Sequence, residues 1–235
     1  MIRPTGEYTE LEAKALDLSL MLHAEHGGGN NSSFTTHLIS SSGTDTYSVI
    51  AAAIGSLKGP KHGGANIAVV KMLEDIKENV KDYNNEQQVK DYLVKILKKQ
   101  ANDRSGLVYG MGHAIYTLSD PRAQILKSVA KELAKDNDWQ ETYRLCQMIE
   151  EFTPLLKKEL TGEDKPMCAN VDLYSGFVYG ALEIPQEIST PLFAEARLSG
   201  WCAHRLEELT MGKKLIRPAY KSVAEKRSYV PINER

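Results

Sequence analysis

Four short stretches concentrate side chains able to move protons or hold anions: HAEHGGGNNS (23–32), GPKHGG (59–64), YGMGHAIYTLSDPR (109–122) and ANVDLYSG (169–176). In each, a histidine, aspartate or arginine stands near glycine where the flanking pattern reads as a helix end. Helix ends carry unpaired backbone groups and the poles of the macrodipole, so they bias the charge of a side chain placed there. His62 lies just before a helix opened by Asn66. The positive pole there disfavours imidazolium and leaves a neutral ring with one proton to donate, a group that polarises carbonyls. Asp172, second in a helix capped by Asn170, meets the same pole and is expected to be ionised near neutral pH, available as a base. His26 follows the end of the preceding helix, and the negative pole there suits a cationic ring that binds a carboxylate. Arg122, Arg197 and Arg217 are candidates for clamping further carboxylates bidentately.

Taken singly, each residue has a plain structural reading: a turn histidine, a capping aspartate, a solvated arginine. His23 and His26 have the i, i+3 spacing of metal ligands, but no third ligand lies nearby in sequence, so no metal site is expected from them. The triple glycine is not followed by G-K-[ST], and no strand precedes GMGH, which sets aside both nucleotide-binding readings.

Helices must position these groups, because apolar residues recur at helical spacing along nearly the whole chain. Leu11, Ala15, Leu18 and Leu22 form one stripe, Val69, Leu73, Ile76 and Val80 a second, and Val89, Leu93, Ile96 and Leu97 a third after an Asn84-Asn85 turn. Asn30 or Asn31 is placed to cap a short helix through Ser41, and Asp45 to cap another through YSVIAAAIGSL, whose small residues permit close packing. Asp120-Pro121 opens a helix through Ala134, and Asp138 with Glu141 reads as a capping box for the next, which Thr153-Pro154 should break or kink. Thr190-Pro191 opens a long helix reaching Leu209 and Gly212. Only SYVPI near the tail reads as a strand, so the expected fold is all-α, with Gly63-Gly64 and Gly176 as natural hinges.

The 235 residues are 42% hydrophobic and 26% charged, enough for one large domain or a large and a small one. With 29 Lys plus Arg interspersed among 31 Asp plus Glu, no basic stripe marks a nucleic-acid or membrane partner, and an anion must be held by a local cluster. Cys146, Cys168 and Cys202 are few, odd in number and lack C-x-x-C spacing, which points to a reducing, cytoplasmic setting. The N-terminus has no apolar signal-like run, and no stretch reaches the length of a membrane span.

The order HAEHGGGNNSSF, GPKHGGAN, GMGHAIYTLSDPR, NVDLYSG, then Arg197 and IRP resembles the C-terminal part of citrate synthase, from about Tyr8 to Ala219. The resemblance implies an all-helical homodimer with the active site in the cleft between a large and a small domain. It divides this chain into residues 1–64 and 178–235 of the large domain, with a small domain at 65–177. It assigns His62 to the thioester carbonyl of acetyl-CoA, Asp172 to removal of the methyl proton, and His113 to the ketone of oxaloacetate. His26, Arg122 and Arg197 match carboxylate-binding positions, Arg217 an arginine supplied across the dimer, and Lys165 a basic position suited to CoA phosphates.

That chemistry needs no metal or redox cofactor. An aspartate can remove a weakly acidic methyl proton only if the forming enolate oxygen is stabilised at once. Two departures from the family pattern stand out. Thr117 occupies a place where some members carry a basic residue, and a long N-terminal portion of the large domain is not in this sequence. A core built with those helices is expected to leave apolar surface here. The same motifs suit a propionyl-CoA enzyme making 2-methylcitrate, and a non-catalytic fragment that binds ligand or dimerises.

Overall fold

Short polar residues start most of the helices, as the sequence leads one to expect. Thr9 accepts from the Glu12 amide at 3.2 Å while Glu12 accepts from Thr9, a capping box that opens α1 (Glu10–His23). Asp45 caps α3 (Thr46–Leu57), Asn85 caps α5 (Glu86–Leu97), Asp120 with Pro121 opens α6 (Pro121–Leu133), and Asn170 caps α8 (Val171–Ala181). The remaining helices are α2 (Asn31–Ser40), α4 (Ala65–Asn79), α7 (Gln140–Thr161) and α9 (Ser189–Met211). The structure is a computed structural model and describes residues 5–113, 115–135 and 139–235. Among these residues the fold is all-α, with one isolated bridge between Met111 and Ala169.

Three local expectations fail for physical reasons. Pro154 does not break α7, which runs on through Thr161. Proline removes one amide bond, but the face carrying Leu145, Ile149, Phe152 and Leu156 is buried, and that packing outweighs the local loss. SYVPI forms no strand, because the chain after Met211 is extended and mostly exposed with no neighbour to pair with. Asn30 occupies the capping position of α2 without making a side-chain cap, since its carboxamide oxygen is engaged elsewhere. Asp138 of the expected capping box lies outside the described residues, and Glu141 instead accepts from Tyr83 Oη at 2.8 Å and Asn84 Nδ2 at 3.1 Å.

The main core is formed by the inward faces of α4 to α8, with Met72, Ile76, Leu93, Ile96, Leu126 and Phe177 deeply buried. α1 leans on this core through Ala15 and packs against α6 and α9. A second, smaller cluster of Ala53, Leu57 and Trp201 joins α3 to α9. Beside it lies an apolar groove lined by Ile50, Ile54, Ala194 and Leu198. Gly176 sits inside α8 facing α4, where an added methyl would make ordinary contact with Val69 and Val70 at 3.4 Å. No helix among the described residues is long and apolar enough to cross a membrane.

One tight turn sets the position of α8. Gly110 has φ +81°, and a methyl there would lie 2.8 Å from Leu173 Cβ, while its carbonyl accepts from the Asn170 amide at 2.9 Å. Both the left-handed backbone and the contact exclude a side chain. Gly110→Ala should lower unfolding free energy by roughly 2–3 kcal/mol in urea melts, and an unchanged midpoint would contradict this reading.

Candidate active site

Three loops and the start of α8 converge on one cleft. The turn at residues 58–64 follows α3, and the Gly63 amide closes it by donating to Leu57 O at 2.8 Å. A methyl on Gly63 would collide with the same carbonyl, which explains why glycine stands beside His62. His62, Asp172, Asn66, His23, Tyr179 and Phe193 line one narrow cavity at this point. Both His62 and Asp172, the electrophile and base expected from the sequence, are thus among the residues that line this cavity.

His62 Nε2 lies 3.0 Å from Ser32 Oγ, which also accepts from Trp201 Nε1 at 3.2 Å and reaches Asn30 Oδ1 at 3.0 Å. Burial, then the charge of Arg197, lowers the pKa of His62 and keeps the ring neutral, as expected. Asp172 departs from expectation in degree. Burial pushes its pKa up to about 6 against the pull of Arg122. A helix pole is worth ~0.3–1 kcal/mol, whereas two pK units amount to ~3 kcal/mol, so desolvation wins.

His113 has its protonation pattern fixed by the backbone. Nδ1 accepts from the amides of Ile115 at 3.0 Å and Tyr116 at 3.1 Å, so the neutral ring must carry its proton on Nε2. That nitrogen faces His26 Nε2 at 3.2 Å and donates to it. His26 is not the cation that its place after α1 suggests. Burial first, then Arg122 and His113, lower its pKa to about 4, so it stands neutral, a hydrogen-bonding partner that an arriving dianion would make more basic.

The two arginines are held differently. Arg122 forms a fork with Asp120, Nε to Oδ1 at 3.0 Å and Nη2 to Oδ2 at 2.8 Å, and lies over the Tyr116 ring. Arg197 is fully buried, with Nε donating to His23 O at 2.5 Å and Nη1 to Asn30 Oδ1 at 3.3 Å, while Nη2 has no partner among the described residues. A buried guanidinium with an unpaired N–H is costly unless an anion completes it. Arg217 and Lys165 are not brought to the cleft: both are exposed, in the segment after α9 and in the loop between α7 and α8.

Several further residues shape this site without a role that their sequence pattern reveals. His23 is fully buried against Phe193 and Tyr179, with both ring nitrogens unpartnered, and burial drops its pKa to about 3. The Tyr179 hydroxyl is likewise unpartnered in the same cavity. Ser32 and Asn30 belong to the HAEHGGGNNSS run, but nothing in their spacing foretold contacts with residues 62 and 197. Asp120 was legible only as a helix cap.

Asp172 yields a stability prediction. Its folded pKa is raised from 3.8, so the native state holds this proton more tightly than the unfolded chain, and that contribution is lost as pH rises through about 6. Asp172→Asn should therefore stabilise the protein at pH 7.5 by roughly 1–3 kcal/mol and by little at pH 4. Denaturant melts at the two pH values check this, and destabilisation at pH 7.5 would contradict it.

Comparison with known proteins follows the same residues. The family model "Citrate synthase, C-terminal domain" matches residues 1–219. A citrate synthase from Synechocystis sp. is 40% identical over 226 residues, covering 95% of this chain and 52% of its own length. The crystal structure of citrate synthase from Thermotoga maritima superposes with TM-score 0.78 at 35% identity, covering 98% of this chain and 58% of that one. Citrate synthase from Thermoplasma acidophilum, solved as a ternary complex with carboxymethyl coenzyme A and oxaloacetate, gives TM-score 0.76 at 30% identity, covering 97% of this chain and 57% of that one. This chain spans about half the length of these relatives, and within that span it belongs to the citrate synthase family.

Proposed function

We propose that this chain carries the catalytic residues of a citrate synthase-type acyltransferase, which joins acetyl-CoA to oxaloacetate and releases citrate and CoA. The observation that carries this reading is His62 and Asp172 on the walls of one narrow cavity, one a neutral donor and the other a carboxylate with its pKa near 6. Asp172 takes a proton from the acetyl methyl group. His62, kept neutral, donates its ring proton to the thioester oxygen as negative charge develops there. The enolate carbon then attacks the ketone carbon of oxaloacetate, and His113 Nε2–H serves the ketone oxygen as it becomes an alkoxide. Water hydrolyses the resulting citryl thioester.

Arg122 and the unpaired Nη2 of Arg197 bind the acceptor's carboxylates, with His26 between them and His113. Holding the dianion in line with the enolate replaces much of the entropy cost of a two-substrate step. Every step uses side chains, so no metal or redox cofactor takes part. Arg217 enters from a second copy in a cytoplasmic homodimer, and Lys165 meets the phosphates of CoA.

A second reading rests on the exposure of Arg217 and the apolar groove beside Trp201: the isolated chain binds ligand without turnover. Free thiol release from acetyl-CoA that requires oxaloacetate separates the two readings, and thermal stabilisation by oxaloacetate without release selects the second. Where turnover occurs, Asp172→Asn and His62→Gln should lower kcat by roughly 10²-fold or more. The wild-type rate should climb about tenfold per pH unit below pH 6 and level off above it as Asp172 ionises. A rate flat from pH 5 to 7, or near-normal turnover in either variant, would defeat these roles.

A further inference from the structure

Away from the reaction cavity, two histidines face each other among three carboxylates. His37 on α2 and His204 on α9 place Nε2 and Nδ1 3.0 Å apart, with the rings edge-on. The outer nitrogen of each ring faces a carboxylate. His37 Nδ1 lies 2.9 Å from Glu208 Oε2, and His204 Nε2 lies 2.8 Å from Glu25 Oε2, the latter an ion-pair contact rather than an aligned hydrogen bond. A carboxylate oxygen at that range favours a proton on the nitrogen it meets, and with N–H on both outer nitrogens the inner pair faces inward as acceptors. In neutral rings the two inner nitrogens are then bare, and their lone pairs point at one another.

A third donor closes the set. Glu207 Oε2 lies 3.9 Å from His37 Nε2 and 3.7 Å from His204 Nδ1, and all three ligand atoms fall within 4.8 Å of one another. Two imidazole nitrogens bound to one tetrahedral zinc at ~2.0–2.1 Å sit about 3.3 Å apart, near the 3.0 Å found here. Glu208 and Glu25 occupy the positions of the carboxylates that orient metal-bound histidines from behind. Among the described residues, Glu207 and Glu208 meet no lysine or arginine at ion-pair distance, and the neighbouring Arg205 is turned to Thr46 Oγ1 at 3.1 Å and Thr44 O at 2.8 Å.

We propose that His37, His204 and Glu207 bind one divalent cation of the zinc class. The site ties α2 to α9. It also reaches the loop that carries His26, because the second oxygen of Glu25 accepts from the amides of His26 and Gly27. Its role is to hold that loop, and it takes no part in the acyl transfer proposed above.

Chelator-stripped protein titrated with zinc alone at pH 7.5, by calorimetry and by metal count in native mass spectrometry, tests this. One equivalent should bind. His37→Gln with His204→Gln should abolish uptake, and Glu207→Gln, at an exposed position with little bearing on folding, should weaken it by about tenfold or more. All three cysteines remain in these variants, so binding through thiolates would survive the substitutions. Absence of a stoichiometric site in the wild type, which would mean that a proton alone bridges the rings, or unchanged uptake in the Glu207 variant, would overturn the proposal.

Discussion

The carboxylate of Asp120 is the point on which the rest of the site depends. It is fully buried, and it bonds the Arg122 amide at the start of α6, the Val171 amide at the start of α8 and both nitrogens of the Arg122 fork. One side chain thus sets where two helices begin and where a guanidinium points. Leaving the partner of such a buried pair uncompensated costs about 3–5 kcal/mol. Burial works to raise the Asp120 carboxyl, but the hydrogen bonds and charge of Arg122 prevail and hold it below the usual carboxylate range. Asp172 follows Val171 by one residue, so the same anchor determines where the base emerges into the cleft.

From that anchor the electrostatics of the cleft follow. Arg122 acts on His26, His113 and Asp172, and Arg197 on His23, His26 and His62. Two guanidiniums and extensive burial keep all four histidines neutral, so the positive charge offered to an anionic acceptor is concentrated on the arginines. The histidines are left to serve as directional donors and acceptors. Neutral rings with defined tautomers are better suited than imidazolium to hydrogen-bond a carbonyl without protonating it early.

Much of the scaffold could be read from the chain. Asp45, Asp120-Pro121 and Asn170 each start a helix where expected, because capping is a local matter of one side chain and the amides two or three residues on. His62 and Asp172 reached one cavity for the same reason: each is tied to a helix start. The failures are of a different kind. The charge of His26 and the raised pKa of Asp172 come first from burial in the assembled fold, and Asn30 is drawn from its cap partly by Arg197, 167 residues away, so no local pattern encodes them. Pro154 shows the converse, a local breaker overruled by a buried helix face.

The central physical claim is that burial, and not the helix pole, sets the charge of Asp172. A carbon-13 titration of the aspartate carboxyl resonances, with Asp172 assigned by its Asn substitution, measures this directly. The account predicts a midpoint near 6. A midpoint at or below the ordinary aspartate value of about 4 would contradict it.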